Sequence, residues 1–440
     1  MTMDTTVLIL AGGRAERLLV LTRLRAKCAI PFGGRFRVID FVLSNCVHSG
    51  LFRIGILAQY NPVSLQHHIG SGRPWDLDRR EGGVSILQPY AMKGGGVFYR
   101  GTADAIYQNL DFIGHERIKE VLVLSGDQVY KMDYRPFIEY HRSHKSPLTI
   151  AVTQVSEEDI KRFGLVNIDC NGRVVRFIEK PKEVWEGFAS MGIYIFDANY
   201  LREVIEERCG CEERFDIVND IVIPLIEEKG VYAYVFGGYW EDIGKLSSYY
   251  EANMALLDEF PKLNLYDYSW RILTRENDMP ALRIQTSANV SCSLICNGAV
   301  IKGTVMNSII SGGVVVDEGA YISNSIVFED SYVARGAKIE NAIVDKLVSV
   351  GRNASIGVGD RGPYNEDFPE DLNSGITLIG KGAVIPEGYR IGKNCAVDIF
   401  VKDYELPTEG IESGKSVLLP ESEIRLRGEH DILEREVFWD

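Results

Sequence analysis

The sequence predicts an α/β layer built on a largely parallel sheet, followed by a parallel β-helix of hexapeptide repeats. Three observations carry this reading. Over residues 1 to about 255, short β-rich apolar runs alternate with helical stretches, the pattern of strands joined by helical crossovers. After about Ser287, aliphatic residues recur roughly every six positions, as in a coil made of three short strands. Helical periodicity is absent from that second part.

The elements follow in order. Val7–Leu10 and Val121–Leu124 are uninterrupted apolar runs, as expected of buried parallel strands. Between them, Thr102 opens a helical pattern as a candidate N-cap, with Ala103, Ile106, Leu110 and Ile113 on one face. Further strands are expected at 150–153, 174–178, 193–196 and 231–236. Residues 1–255 form one domain on this reading, 256–286 a linker and 287–440 the β-helix. Trp270 and the tyrosines Tyr266 and Tyr268 are expected to anchor the linker. In the third part, small-residue doublets fall at Gly298-Ala299, Gly319-Ala320, Gly336-Ala337, Asn353-Ala354 and Gly382-Ala383, and the middle ones lie 17 residues apart. Gly359 to Gly375 breaks the period as an inserted loop. Coils of this kind are open at their ends, so docking to other subunits is expected.

Composition narrows the function. The 440 residues are 45% hydrophobic and 25% charged, with a net charge of −14. A general nucleic-acid-binding surface is not expected from such a balance. The eight cysteines show no repeated metal-ligand spacing, so free thiols in a reducing cytosol are expected. The apolar run Val7–Ala11 is too short for a signal peptide core or a membrane span. A cytoplasmic protein without a membrane partner is the expectation.

Four clusters could carry chemistry. The first strand runs into Gly12-Gly13, where backbone N–H groups could approach a phosphate. Seven basic residues follow between positions 14 and 37, opposed only by Glu16, a local concentration suited to a polyphosphate. Ser125-Gly126-Asp127 follows the strand at 121–124, and a carboxylate there could hold a divalent cation together with Asp242. Glu179-Lys180 closes another strand; the lysine could meet a phosphate monoester. Tyr99 to Ala105 opens the helix after Gly94–Gly96, a candidate flap. Each cluster also fits a plain structural role: a tight turn, a solvated basic face, a strand-ending turn or a capped helix. No Walker loop, GxGxxG, GxSxG, HExxH or kinase signature occurs.

The order of the clusters is more specific than any one of them. AGGRAERL, RAKCAIPFGGRFRVIDFVLSNC, YRGTADAIYQNLDFI, SGDQVYKMDY, FGLVNID, FIEKP, ASMGIYIF and GYWEDIG resemble the nucleotidyltransferases that make nucleotide sugars. Among these the chain is most similar to the glucose-1-phosphate adenylyltransferase (ADP-glucose pyrophosphorylase) family, over nearly its whole length. The resemblance implies a Rossmann-like nucleotidyltransferase domain with a mostly parallel mixed sheet and a C-terminal left-handed β-helix. It implies adenylyl transfer from ATP to α-D-glucose 1-phosphate, giving ADP-glucose and pyrophosphate for glycogen or related glucans. Arg17 then grips the ATP phosphates and Lys27 lies by the reacting phosphates. Gly12 and Gly13 pass near the nucleotide, and Gln88 and Gly101 face adenine. Asp127 and Asp242 hold Mg²⁺. Tyr99, Gly164, Glu179, Lys180 and Ser190 form the glucose 1-phosphate site. A homotetramer or heterotetramer controlled by small-molecule effectors is implied as well.

The chain departs from the family pattern at Ala15, Val20, Cys28, Leu24, Phe215–Asp220 and Lys245. If position 15 needs a positive φ, alanine costs on the order of 1 kcal/mol there. Leu24 stands where some bacterial members carry an activator-binding lysine. Two other readings therefore stay open: a non-catalytic regulatory subunit, and a nucleotidyltransferase for another nucleotide and sugar phosphate. Acyl transfer by the coils is disfavoured, because residues 287–398 contain no histidine.

Overall fold

Nine strands form the main sheet of the computed structural model: β1 (Thr5–Leu10), β2 (Arg53–Leu57), β3 (Gly83–Leu87), β4 (Glu120–Ser125), β5 (Leu148–Thr153), β6 (Gly164–Ile168), β7 (Val174–Glu179), β8 (Phe188–Asp197) and β9 (Tyr232–Val235). The structure describes residues 4–13, 16–89, 98–114, 117–156, 160–183, 186–210, 213–359 and 362–427. The sheet reads β9-β5-β8-β4-β1-β2-β3, with the β6–β7 hairpin paired to the first residues of β8. Strands β3, β2, β1 and β4 are parallel. β8 runs antiparallel to both β4 and β5, so the sheet is mixed. Val7–Ile9 and Val121–Leu124 are fully buried, as two-sided coverage of a parallel strand requires.

The chain leaves β1 for β2 on one side and returns to β4 on the other, with Leu10 beside Ser125. This reversal of strand order opens a crevice beyond the carboxyl ends of β1 and β4, the usual ligand position in such sheets.

The helical stretch after Thr102 differs from expectation. It is two short helices, Thr102–Tyr107 and Leu110–Ile113. Asn109 breaks it, because its side-chain amide donates to the Ala105 carbonyl at 2.8 Å and to the Tyr99 hydroxyl at 3.0 Å. Thr102 is not the N-cap; Gly101 is. The Thr102 hydroxyl instead donates to Asp216 at 3.0 Å and accepts from the Ile217 amide at 2.8 Å. The candidate flap Gly94–Gly96 lies outside the described residues, as does Ala15.

The second part is a stack of short parallel strands in three sheets of six, six and seven, consistent with a left-handed β-helix. In the middle of the stack successive coils pair residues 17 apart, as Val316 with Val333 and Ile322 with Ile339. Gly298, Gly319, Gly336, Asn353 and Gly382 all take positive φ at the corners, and the alanine after each is buried. Val344 pairs with Ile379, 35 residues on, so the segment between Ile356 and Thr377 is the insertion that the broken period marked. The first strand of the stack is Arg283–Ile284, inside the segment read as linker. Its pattern was hidden because the terminal coil has no neighbour on one side: Ile284 is 55% exposed, so no buried aliphatic marks the repeat there.

The linker is held by fewer rings than expected. Trp270 donates its indole N–H to Asn45 at 2.9 Å and lies against His48. Tyr266 and Tyr268 are exposed and anchor nothing in the described core. Their order in the sequence gave no sign of which ring had a slot. The seven described cysteines are free thiols. Among the described residues, no helix is long and apolar enough to cross a membrane.

One apolar core joins the two parts. Leu18, Leu21, Ile30, Phe32, Phe41 and Tyr249 from the first pack with Ile309, Ile326, Phe328, Ile343 and Leu378 from the coils. Polar links cross the same boundary: Tyr250 donates to the Asn324 carbonyl at 2.6 Å, and Arg25 pairs with Asp345 at 2.8 Å.

Candidate active site

The crevice at the strand-order reversal is a cavity of about 580 Å³. β4 ends in Ser125-Gly126-Asp127, and the chain continues as Gln128–Tyr130, which pairs antiparallel with Trp240–Asp242. That pairing sets Asp242 opposite Gln128 and so closes the gap of more than a hundred residues between the two aspartates. Lys27 reaches both carboxylates, with its Nζ 2.6 Å from Asp127 and 3.6 Å from Asp242. Ser125 donates a further short hydrogen bond to Asp127.

The electrostatics follow from this geometry. Burial pulls the Lys27 ammonium towards lower pKa, but Asp127 and Asp242 outweigh it, and the net shift is upward. Burial also works against the Asp127 carboxylate, and the Lys27 charge overcomes it, so Asp127 titrates below the usual carboxylate range. Both groups are charged at neutral pH.

Opposite this cluster, the β6–β7 hairpin supplies Gly164, Glu179 and Lys180, and β8 supplies Ser190. Lys180 has a positive φ of 47°, and its amide donates to the Phe163 carbonyl at 3.2 Å. Its ammonium is 3.6 Å from the Glu179 carboxylate and remains well exposed. Gly164 is a close-approach position: a Cβ there would meet the Phe177 ring at 2.5 Å.

Of the sequence-derived candidates, Gly13, Arg17, Lys27, Asp127, Gly164, Glu179, Lys180, Ser190 and Asp242 line this one cavity. Gly12 sits just behind it, against Gln59. Gln88 is exposed beyond the end of β3. Tyr99 is buried beside the cavity rather than in its wall; its amide donates to Gln59 at 2.7 Å and its hydroxyl accepts from Asn109. Gly101 presses on the Phe215 carbonyl, where a Cβ would come within 2.3 Å. The same carbonyl accepts from the amides of Ala103 and Asp104, so this helix start is satisfied by protein and does not offer those two amides to an anion.

The basic segment also needs correction as a unit. Arg17 and Lys27 face the cavity, and Arg14 lies outside the described residues. Arg23 pairs with Asp398 and Arg25 with Asp345, both on the coils. Arg35 pairs with Glu276 of the linker. Arg37 donates to the Ala29 carbonyl and to Ser64. Most of the charge that reads as a phosphate cradle is therefore spent on holding the chain together, because carboxylates remote in sequence fold back onto it.

Sequence reading missed Arg162. Its guanidinium lies 3.4 Å from both the carboxylate and the carbonyl of Asp242, and it lines the cavity. The signal was its place directly before Phe163-Gly164, at the start of a motif already singled out. A larger cavity of about 990 Å³ lies at the opposite edge, around Glu120, His141 and Asp197. It sits at the amino ends of β4 and β5, away from the strand-order reversal, so it does not compete for the chemistry.

Residues 6–259 match the nucleotidyl transferase family model, and residues 281–379 match the GlmU-like C-terminal hexapeptide model. The chain belongs to the glucose-1-phosphate adenylyltransferase family. A glucose-1-phosphate adenylyltransferase of Thermomicrobium roseum is 48% identical to it, over 94% of this chain and 97% of the relative. One of Acetivibrio thermocellus is 42% identical over 94% and 98%, and one of Thermotoga maritima 44% over 95% and 99%. Membership of this nucleotidyl transferase family agrees with the strand-end cavity and its paired carboxylates, and it makes the coil stack a family feature rather than an appendage of this chain.

Proposed function

We infer that this chain transfers the adenylyl group of ATP to α-D-glucose 1-phosphate, forming ADP-glucose and pyrophosphate for glycogen-like glucan synthesis. The observation that carries the reading is Lys27 held between Asp127 and Asp242 at the strand-order reversal, with Lys180 and Glu179 on the facing wall. The sugar phosphate oxygen attacks the α-phosphorus in line, the bond to the β-phosphate breaks, and pyrophosphate leaves. Such a reaction asks the protein for alignment and charge neutralisation more than for covalent help.

Arg17 and Lys27 line the part of the cavity assigned to the ATP phosphates, and Lys27 rests there against its two carboxylates. Lys180 meets the phosphate of glucose 1-phosphate as a point charge, while Glu179 accepts hydrogen bonds from the sugar. Gly12, Gly13, Gln88 and Gly101 belong to the nucleotide side, and Tyr99, Gly164 and Ser190 to the sugar side. Among the described residues, the cavity wall carries four cations, Arg17, Lys27, Arg162 and Lys180, and four carboxylates, Glu16, Asp127, Glu179 and Asp242. These charges balance before two strongly anionic substrates arrive. Two hard carboxylates converging on one cation also match the donor set Mg²⁺ uses alongside substrate phosphates. Asp127 and Asp242 would hold Mg²⁺, whose charge offsets that of the phosphates when bound.

Assembly into a homotetramer, control by small effectors and a cytoplasmic location form part of the same reading; the exposed Ile284 of the first coil supports the assembly alone. The test is pyrophosphate release from ATP and glucose 1-phosphate with Mg²⁺, repeated with other nucleotides and other sugar 1-phosphates. Turnover should be highest with the ATP and glucose 1-phosphate pair. A folded protein that turns over none of the pairs would be the regulatory subunit, and one preferring another pair would change the substrate assignment.

A further inference from the structure

Lys27 sits in a short, heavily restrained piece of chain. Two residues before it, Arg25 is buried with 7% of its side chain exposed, and its Nη2 donates to both carboxylate oxygens of Asp345 at 2.8 and 2.9 Å. The other terminal nitrogen, Nη1, is buried with no hydrogen-bond partner, so the guanidinium depends on Asp345. Two residues after Lys27, the Ala29 carbonyl accepts from Arg37 at 3.1 Å, and the charge of Glu329 on the coils, itself paired with Lys346, favours the Arg37 cation. Between these points the chain makes a single turn, with the amides of Ala29 and Ile30 bonded back to Ala26 and Lys27.

Asp345 is itself mounted rigidly. Its amide donates to the Ile379 carbonyl at 2.8 Å, its carbonyl accepts from Ser331 at 2.9 Å, and its carboxylate accepts from the Lys346 amide at 2.7 Å. The anchor thus sits at a corner of the stack, one residue past the strand Ala342–Val344, and these three hydrogen bonds tie it there.

We propose that the β-helix positions the phosphate-site lysine: Asp345 fixes Arg25, and Arg25 fixes Lys27 between Asp127 and Asp242. Arg25 and Asp345 are positioning residues and touch no substrate. The coil domain is then part of the catalytic apparatus of its own chain. The proposal rests on Lys27 acting at the reacting phosphates, as inferred above.

The physical case is one of precision. A displacement of about 1 Å at a catalytic group can cost on the order of a hundredfold in rate. A lysine has a long flexible stem, so even with its head against two carboxylates its position also depends on the backbone beneath it. Removing the Asp345 charge frees the backbone at residue 25 while leaving every atom of the cavity wall in the sequence.

The test uses the full-length protein and four variants: Asp345→Asn, Asp345→Glu, Lys27→Gln and Tyr250→Phe. Tyr250→Phe removes a different hydrogen bond across the same domain boundary and controls for loosened docking. For Asp345→Asn the expected result is a fall in kcat of about tenfold or more with KM for both substrates nearly unchanged. Asp345→Glu should recover part of it, and Tyr250→Phe should match the parent. Amine-reactive labelling of Lys27, read by peptide mass spectrometry, should become faster in Asp345→Asn. An Asp345→Asn protein of parental circular dichroism with kcat within about twofold of the parent overturns the proposal, as does a Tyr250→Phe loss as large as that of Asp345→Asn. Should Asp345→Asn fail to fold, Arg25→Lys, which keeps the charge and loses the fork, gives the same reading by the same criteria. Activity retained in Lys27→Gln would instead remove the assigned role of Lys27, a separate failure.

Discussion

At the residue scale, the site combines a charge held closely by part-buried partners and a charge that stays exposed beside a looser one. Lys27 belongs to the first kind, held by two carboxylates. Lys180 belongs to the second: its ammonium is well exposed on the cavity wall and only 3.6 Å from its neighbour Glu179. Lys180→Ala should therefore raise KM for glucose 1-phosphate by about 10- to 100-fold, the equivalent of the ~1.5–3 kcal/mol of a hydrogen bond to a charged group. KM for ATP should change little, and initial-rate kinetics over both substrates would show the split. His141 gives a second prediction, on stability. It is 4% exposed, bonded to Thr149 at 2.8 Å, and burial pushes its imidazole down to about 4. An unfolded histidine titrates near pH 6.5. As pH falls from 6.5 the unfolded chain takes up this proton first, so the contribution of neutral His141 is complete above pH 6.5 and erodes towards pH 4. By pH 5 the loss is about 2 kcal/mol. Urea unfolding at pH 7 and pH 5 would measure it, and His141→Gln should flatten the difference. Asp127, Glu179 and Lys180 stood out because they lie at strand ends, whereas the roles of Arg17, Lys27, Gly164 and Ser190 came only from the resemblance. Arg162 was not legible, because only the fold brings its guanidinium to Asp242.

At the scale of elements, the motif Tyr99–Ala105 carries a packing requirement that its sequence does not announce. Its glycine is required by a close approach, since a Cβ at Gly101 would lie 2.3 Å from the Phe215 carbonyl. Gly101→Ala should destabilise the protein by about 2 kcal/mol through overpacking, and calorimetry would show a lower Tm. Sequence pattern put one helix here because the apolar spacing runs on through Ile113. The break at Asn109 escaped it, because that side chain caps an interior carbonyl and competes with the backbone. The strands fared better. Their apolar runs are continuous where both faces are covered, and each expected run falls in or on a strand of the sheet. In the coils, the corner doublets were readable because two requirements, positive φ and a buried small side chain, recur at a fixed spacing.

At the scale of the whole molecule, the two parts are not separable bodies joined by a tether. Ile30, Phe32, Phe41 and Tyr249 share a core with Ile309, Phe328 and Leu378. Cutting the chain near residue 260 would bare these side chains, each worth about 1.5–3 kcal/mol when buried. The first 260 residues expressed alone should bind a hydrophobic dye, lose near-ultraviolet dichroism and aggregate. A monodisperse, cooperatively melting fragment would contradict the shared core. Nothing in the sequence announced this interface, because its apolar residues satisfy the periodicity of their own elements and its ion pairs join positions hundreds of residues apart. The pairing of Arg25 with Asp345 spans 320 residues, and that span sets a schedule for biosynthesis. At roughly 5–20 residues per second, a ribosome needs on the order of a quarter of a minute to a minute to deliver the aspartate after the arginine has emerged. Throughout that interval the nascent chain carries an unmatched guanidinium beside the greasy run Leu18–Leu21, a long stay in reach of chaperones before the last coils arrive to cover it.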